Sequence, residues 1–270
     1  MKKSTENESR SLKTFYLYSF VVFVVICISL VIKAFFIYEQ SKFDASHDFI
    51  VAVGEQKKIR DVIAFHPEVP SIAILQLQDK SIPYNSLAKE YGITTNGYIF
   101  LADDEDISTD MTAFMWESIL HSATWQSNLT IIDKIRLMLL AKSVVTNNKS
   151  VVQISLNNQT SDTGTVITTA LTDQDISSEN ITIQVINATN VTGLGQRLGR
   201  ILTNLGADVV DVSSAQNNQT QSTITYFGNS SYTLDWLQKF FGVTATKQSR
   251  QTIANIVVTI GTDKQKATNF

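Results

Sequence analysis

Few side chains in this 270-residue sequence could do chemistry, and most of them stand apart from one another. The three histidines, His47, His66 and His121, lack the i, i+4 partner that would put two ligands on one helix face. A histidine-built metal site or nucleophile–base pair is therefore not expected. His66, beside Pro67, reads as a turn residue, and His121 as a helix-face residue. The one cysteine, Cys27, lies inside an apolar run, which excludes an intrachain disulfide and a cysteine-ligated metal. Asp103, Asp104, Asp106 and Asp110 form an acidic cluster with Glu117 downstream. Asp106, Ser108, Asp110 and Glu117 have the spacing of a calcium loop, but Met111 stands where its sharp turn requires glycine. Acidic residues ahead of a helix cap it and meet its positive end instead. Gly193-Leu194-Gly195 with Asp211 further on is similar to a dinucleotide fingerprint, yet Leu198 occupies the third glycine position. A glycine-opened helix packed on a sheet accounts for it. No metal ligand set and no resident cofactor are expected.

The elements that must position these residues begin with a membrane segment. Residues 15–38 carry one charge, Lys33, and as a helix would run about 36 Å at ~1.5 Å per residue, enough for a core of ~30 Å. Tyr16, Tyr18 and Tyr38 lie near its ends, where aromatic rings favour the interface. The run is longer than the ~7–15 residues of a signal peptide's apolar region and no small-x-small cleavage site follows, so an uncleaved anchor is expected. Lys2, Lys3, Arg10 and Lys13 precede it, which assigns residues 1–14 to a cytoplasmic tail and residues 39–270 to the far side. Five basic and two acidic residues give positions 1–38 a charge of +3, so the rest carries −6 of the chain's net −3. Nucleic acid is not an expected partner of such a surface.

Beyond the anchor the pattern is α/β. Apolar runs at 49–53, 59–65 and 71–77 read as strands, the last two as a hairpin around Pro67 and Pro70. Polar residues 84–97 follow, then an apolar stretch at 98–101. A helix starts at Met111 with Phe114, Met115, Ile119 and Leu120 on one face, and a second covers 131–144 through Ile135, Leu139 and Leu140. These make a membrane-proximal α/β domain over 43–145. Residues 146–180 turn to Asn, Thr, Ser and Gln and read as a polar connector with short strands at 151–156 and 166–171. The segment 181–265 predicts a small β-α-β-β-α-β domain. Its first helix carries Leu194, Leu198, Ile201, Leu202 and Leu205 and stops at Gly206, and its second, 232–241, stops at Gly242.

Four places in that last segment resemble the LytR C-terminal domain of bacterial cell-envelope proteins. They are Ile183-Gln184-Val185-Ile186-Asn187-Ala188-Thr189, with Ala188 where the family has glycine; Gly193-Leu194 opening a helix; Thr223-Ile224-Thr225-Tyr226; and Gly261-Thr262-Asp263. The resemblance nominates Asn187, Thr189, Gly193, Thr223, Tyr226 and Asp263 as binding residues. Residues 47–145 resemble a reduced LytR–CpsA–Psr domain: Arg60-Asp61 is similar to its Arg-x-Asp strand with one residue missing, and Gln78-Asp79 stands where the family has Pro-Arg-Asp. Asn96-Gly97-Tyr98 is similar to a later segment.

That family is associated with moving a lipid-pyrophosphate-linked polymer onto cell wall. The resemblance makes Arg60, Asp61 and Asp79 the catalytic candidates, with magnesium as the metal if transfer occurs. Pyrophosphate needs several converging arginines, and Arg60 and Arg136 are the only ones in 47–180. The expected function is therefore a non-catalytic, membrane-anchored envelope protein. It would bind cell-wall glycan or an envelope protein through its C-terminal domain. A divergent glycopolymer phosphotransferase is the alternative.

Overall fold

The computed structural model describes residues 4–77, 82–102, 110–146, 151–156, 163–249 and 253–265. Helix α1 (Ser4–Glu39) contains one stretch, Phe15–Glu39, long and apolar enough to cross a membrane: 25 residues at mean hydropathy 3.0, with none of it buried against the rest of the chain.

The first sheet begins with β1 (Phe49–Glu55), β2 (Lys58–His66), β3 (Ser71–Leu77) and β4 (Ile82–Pro83). A short helix, α2 (Leu87–Tyr91), precedes β5 (Gly97–Leu101); α3 (Met111–Leu120) precedes β6 (Gln126–Ser127); α4 (Ile131–Thr146) precedes β7 (Val151–Leu156). The strand order is β6-β5-β1-β2-β3-β7, with β4 paired to the start of β2. β1, β2 and β3 form an antiparallel meander, and β5 and β7 join its flanks parallel to β1 and β3. Gln56 and Lys57 both adopt positive φ in the tight β1–β2 turn. Gly54 marks a register shift beside that turn, where a Cβ would collide with the Lys58 carbonyl.

Both faces of this sheet are apolar. Val51, Val53, Ile63, Phe65, Ile72 and Ile74 point to one side, beneath α3 and α4. Ile50, Ala52, Val62, Ala64, Leu75 and Leu77 point to the other. Strands buried on both faces read as continuous apolar runs rather than alternating ones.

The two helices over the first side differ from their predicted faces. In α3, Met111, Phe114 and Met115 are buried as expected, Ile119 is half-buried, and Leu120 is exposed. Asp110 caps this helix by accepting from the Thr112 and Ala113 N–H groups, as an acidic residue there should, while residues 103–109 lie outside the described residues. In α4 the inward residues are Leu137, Ala141 and Val144, and Ile135 and Leu139 face outward. The reason is polar. Asp133, fully buried, holds α4 by five hydrogen bonds: from Ser41 Oγ at 2.7 Å, Lys42 N at 2.8 Å, Phe43 N at 2.9 Å, and Thr130 N and Oγ1 at 2.8 Å each. Lys134, also buried, donates to the Ser118 carbonyl of α3 at 2.6 Å. Arg136 donates to the Phe43 carbonyl at 2.6 Å and lies 5.3 Å from the Tyr38 ring. The end of the apolar helix α1 is thus fastened to α4.

The stretch expected as a polar connector with short strands supplies β7 to the first sheet, but 166–171 is helical. It lies in α5 (Thr163–Leu171), which α6 (Gln174–Ser178) follows. Burial of Ile167, Ala170 and Leu171 on one helical stripe overrides the strand preference of threonine and valine. Thr168 and Thr169 bond the carbonyls four residues back at 3.0 and 2.9 Å.

The second sheet is built from β8 (Thr182–Asn187), α7 (Leu194–Asn204), β9 (Asp208–Ser214), β10 (Thr223–Tyr226), α8 (Tyr232–Phe241), β11 (Thr246–Lys247) and β12 (Ile256–Ile260). This is the predicted order with the two-residue β11 added. The strands run β11-β10-β12-β8-β9; β12, β8 and β9 are parallel and β10 is antiparallel to β12. Gly195 and Gly199 bring α7 close against Val212 of β9, and the glycine-opened helix packs on the sheet as expected. The other side of α7 meets the first sheet's helices. Asn204, 4% exposed, donates to the carbonyls of Tyr91 at 3.0 Å and Gly92 at 2.8 Å, and one apolar cluster runs through both sheets.

Asp133 yields a prediction. Burial pushes its carboxyl up, but the hydrogen bonds from Phe43, Ser41 and Thr130 outweigh that and hold it below its ordinary value. Its stabilising contribution is present above the unfolded value and lost as pH falls through the lowered one. Asp133→Ala should lower stability by ~3 kcal/mol at neutral pH, because several buried donors lose their acceptor. Thermal unfolding in detergent measures this, and Asp133→Asn, which keeps one oxygen, should lose less.

Candidate functional site

Where the two sheets meet, polar groups from distant segments converge. His66, at the end of β2, has Nδ1 2.7 Å from Asp48 Oδ2 and Nε2 3.2 Å from the Ala170 carbonyl of α5. Both ring nitrogens face acceptors, so the charged imidazolium satisfies the site best. Burial pulls the imidazole down, but the Asp48 carboxylate outweighs it and His66 is held above its ordinary value. His66 is therefore the last residue of β2, joined through its ring to Asp48 and α5, rather than a turn residue.

Asp173 caps α6 by accepting from the Ile176 N–H at 3.1 Å, and accepts the Tyr232 hydroxyl at 3.3 Å. Burial, reinforced by the Asp48 and Asp175 charges and opposed by the Ile176 hydrogen bond, pushes its carboxyl up to about 6. Burial and the Asp173 charge together raise the Tyr232 phenol, which stays neutral. Glu179 fixes the start of α8, accepting from Tyr232 N at 2.7 Å and from Thr233 N and Oγ1 at 2.9 and 2.6 Å. Tyr232 is stacked on His47 at 4.7 Å between ring centroids.

Asp48, Asp173 and Tyr232 line a cleft of about 460 Å³. Tyr84, Leu87 and Ile93 from the first sheet's side form one wall, and Trp236 and Phe240 of α8 form the other. Trp236 and Phe240 are stacked on each other at 4.8 Å and 13°, and both rings line the cleft. Asp48, Asn96, Asp173 and Lys239 supply polar groups at its margins. Such a cleft takes a ligand with an apolar face and hydrogen-bonding edges.

The residues nominated from the sequence lie elsewhere. Arg60 and Asp61 are brought together, Nε to Oδ2 at 2.8 Å, with Asp61 buried in β2, and neither lines the cleft. Asp79 lies outside the described residues. Arg136 is joined to Ser41, Phe43 and Tyr38. In the second sheet, Asn187, Thr189, Gly193, Thr223 and Asp263 gather at the edge where the parallel strands end, and Tyr226 lies at the opposite end of β10. Asn187 Oδ1 accepts from Thr189 N and Oγ1, and Thr189 Oγ1 accepts from Val191 N, closing the turn into α7. Gly193, at φ 81°, starts that helix. Asp263 accepts from Ser222 N at 2.9 Å and Oγ at 2.8 Å. Among the described residues no group of three His, Cys, Asp or Glu side chains is placed to hold a metal.

Sequence reasoning missed Asp48, His66, Asp173, Tyr232, Trp236 and Phe240 as a group. One signal was available: Trp236 and Phe240 are one helical turn apart, off the Leu234–Leu237–Phe241 face that packs inward.

Because the folded protein holds the Asp173 proton more tightly than the unfolded chain, this group's stabilising contribution exists at low pH. It declines as pH rises from 3.8 towards about 6 and stays lost above. Asp173→Asn should flatten that part of the stability profile and raise stability at pH ~7 by ~2 kcal/mol. Denaturant unfolding across this pH range tests it.

No curated protein and no solved structure matches the chain. No family match covers residues 43–145, which the LytR–CpsA–Psr resemblance would need. Residues 180–263, from just before β8 to the turn after β12, match the LytR C-terminal family, described as LytR cell envelope-related transcriptional attenuator, so the similarity covers the second sheet with its helices.

Proposed function

We propose that this is a membrane-anchored envelope protein whose folded part lies outside the cytoplasm and binds cell-wall glycan in the cleft between its two sheets. The anchor is α1, and the basic residues before it favour a cytoplasmic N-terminus. The observation that carries the glycan reading is the stacked Trp236–Phe240 pair lining the cleft, together with the polar groups of Asp48, Asn96 and Lys239. Sugar rings present C–H faces that stack on aromatic rings and hydroxyls that need polar partners at their rim. The role is binding rather than catalysis. Arg60 is bonded to Asp61, and Arg136 is joined to the segment after the anchor, so these two arginines form no convergent cradle for a pyrophosphate. The family's name includes transcriptional attenuation. Direct contact with nucleic acid is disfavoured by the net −6 carried after the anchor.

The second candidate surface on this domain is the strand-end edge that carries Asn187, Thr189, Gly193, Thr223 and Asp263, because open α/β sheets commonly take ligands there. Variants separate the two. Full-length protein in detergent should co-sediment with purified wall glycan, and Trp236→Ala should weaken this about tenfold, or ~1.4 kcal/mol. Thr223→Ala should leave it unchanged. Loss in Thr223→Ala with Trp236→Ala unaffected would move the site to the edge, and no binding to any wall fraction would sink the glycan reading.

A further inference from the structure

The outward face of α4 is apolar where a soluble surface should be polar. Ile131, Ile135 and Leu139, at i, i+4 and i+8, are 48%, 40% and 56% exposed. The only acidic residue of α4, Asp133, is buried on the opposite side, and the exposed Lys142 follows Leu139 by three residues at the far end of the stripe. Helix α3, packed beside it, adds Trp116 at 52% and Leu120 at 61%. A stripe of this kind on a surface helix marks an interaction face.

The structure also identifies what lies next to it. Tyr38 is the penultimate residue of the membrane-crossing stretch, and its ring is 5.3 Å from the Arg136 guanidinium, near the middle of α4. The next residues, 41–43, are held on Asp133. No flexible spacer separates the span from this helix, so the middle of α4 sits at the level where the span leaves the bilayer. Ile135 and Leu139 lie within one turn of Arg136, about 5 Å along the axis. We propose that the outward face of α4 lies in the headgroup region of the bilayer that α1 crosses, with its aliphatic side chains towards the acyl chains and Arg136 and Lys142 at headgroup level. The proposal rests on α1 being the anchor and is independent of what the cleft binds.

Depth-dependent quenching tests it on the full chain in vesicles of phosphatidylcholine and phosphatidylglycerol. A fluorophore on the native Cys27 reports the anchor. In a Cys27→Ala background, the same fluorophore on Leu139→Cys reports the α4 face, and on Asn229→Cys it reports a distant exposed loop. Both cysteines replace exposed side chains, so folding is not at stake. Emission from Cys27 and from Leu139→Cys should be quenched by lipids labelled in their acyl chains, about two-fold at Leu139 with shallow quenchers, as for a face ~5–10 Å below the headgroups. Asn229→Cys should not be quenched. Quenching at Cys27 without quenching at Leu139 overturns the proposal and leaves the anchor standing. No quenching at Cys27 removes the anchor and the proposal with it. Equal quenching at Asn229, or label-to-label self-quenching at Leu139 without lipid quenching, overturns it in favour of non-specific adsorption or a dimer.

Discussion

β1, β2 and β3 carry apolar side chains on both faces, so their sheet has to be covered twice. Helices α3 and α4 cover one face. On the other, α2 and α5 leave room that α7 completes, and the cluster starting at Ile50 and Ala52 continues through Ile167 and Leu171 to Leu198 and Ile201 and ends on the second sheet. Asn204 turns this apolar contact into a specific one, because its buried amide has to meet the carbonyls that end α2. The second sheet is consequently part of one packed body with the first, and the two walls of the cleft are held at a set separation.

Two buried aspartates show how that body handles charge. Asp133 is surrounded by donors and is stabilised as a carboxylate, which suits a residue that must hold a chain segment in one place. Asp173 is buried among other carboxylates and a single backbone donor, and its proton is correspondingly harder to remove. The same residue type is a fastener in one place and a responsive group in the other. Only the neighbours differ: five hydrogen bonds from N–H and O–H groups around Asp133, against two donors and the Asp48 and Asp175 charges around Asp173.

Regular elements with clear periodicity were legible in the sequence. The leucine spacing of α7, the stops at Gly206 and Gly242, and the apolar runs of β1 to β3 all stand where the pattern puts them. The inward face of α4 was not legible because Ile131, Ile132, Ile135, Leu137, Met138, Leu139 and Leu140 surround the helix almost completely. Periodicity has nothing to select there, and one aspartate decides. Helix α5 was hidden by β-branched residues whose hydroxyls find partners within the helix itself. The junction cluster was hidden by distance: His66 and Ala170 are 104 residues apart, and Tyr232 and Asp173 are 59. No local pattern brings such groups together.

The strand order has a consequence for the chain as it is made. β1 to β3 pair locally, but β7 joins β3 only after residue 156 exists, and α7 cannot cover the remaining face before residue 204. During synthesis the first sheet therefore waits, incomplete at one edge and bare on part of one side, for segments encoded much later. Sheets in that condition are sticky towards other copies. A chain held in a membrane by α1 would meet this hazard with its N-terminal end confined to a surface, where neighbouring nascent copies are concentrated in two dimensions. Speed of completion, more than final stability, would then govern how much of the protein reaches its native form.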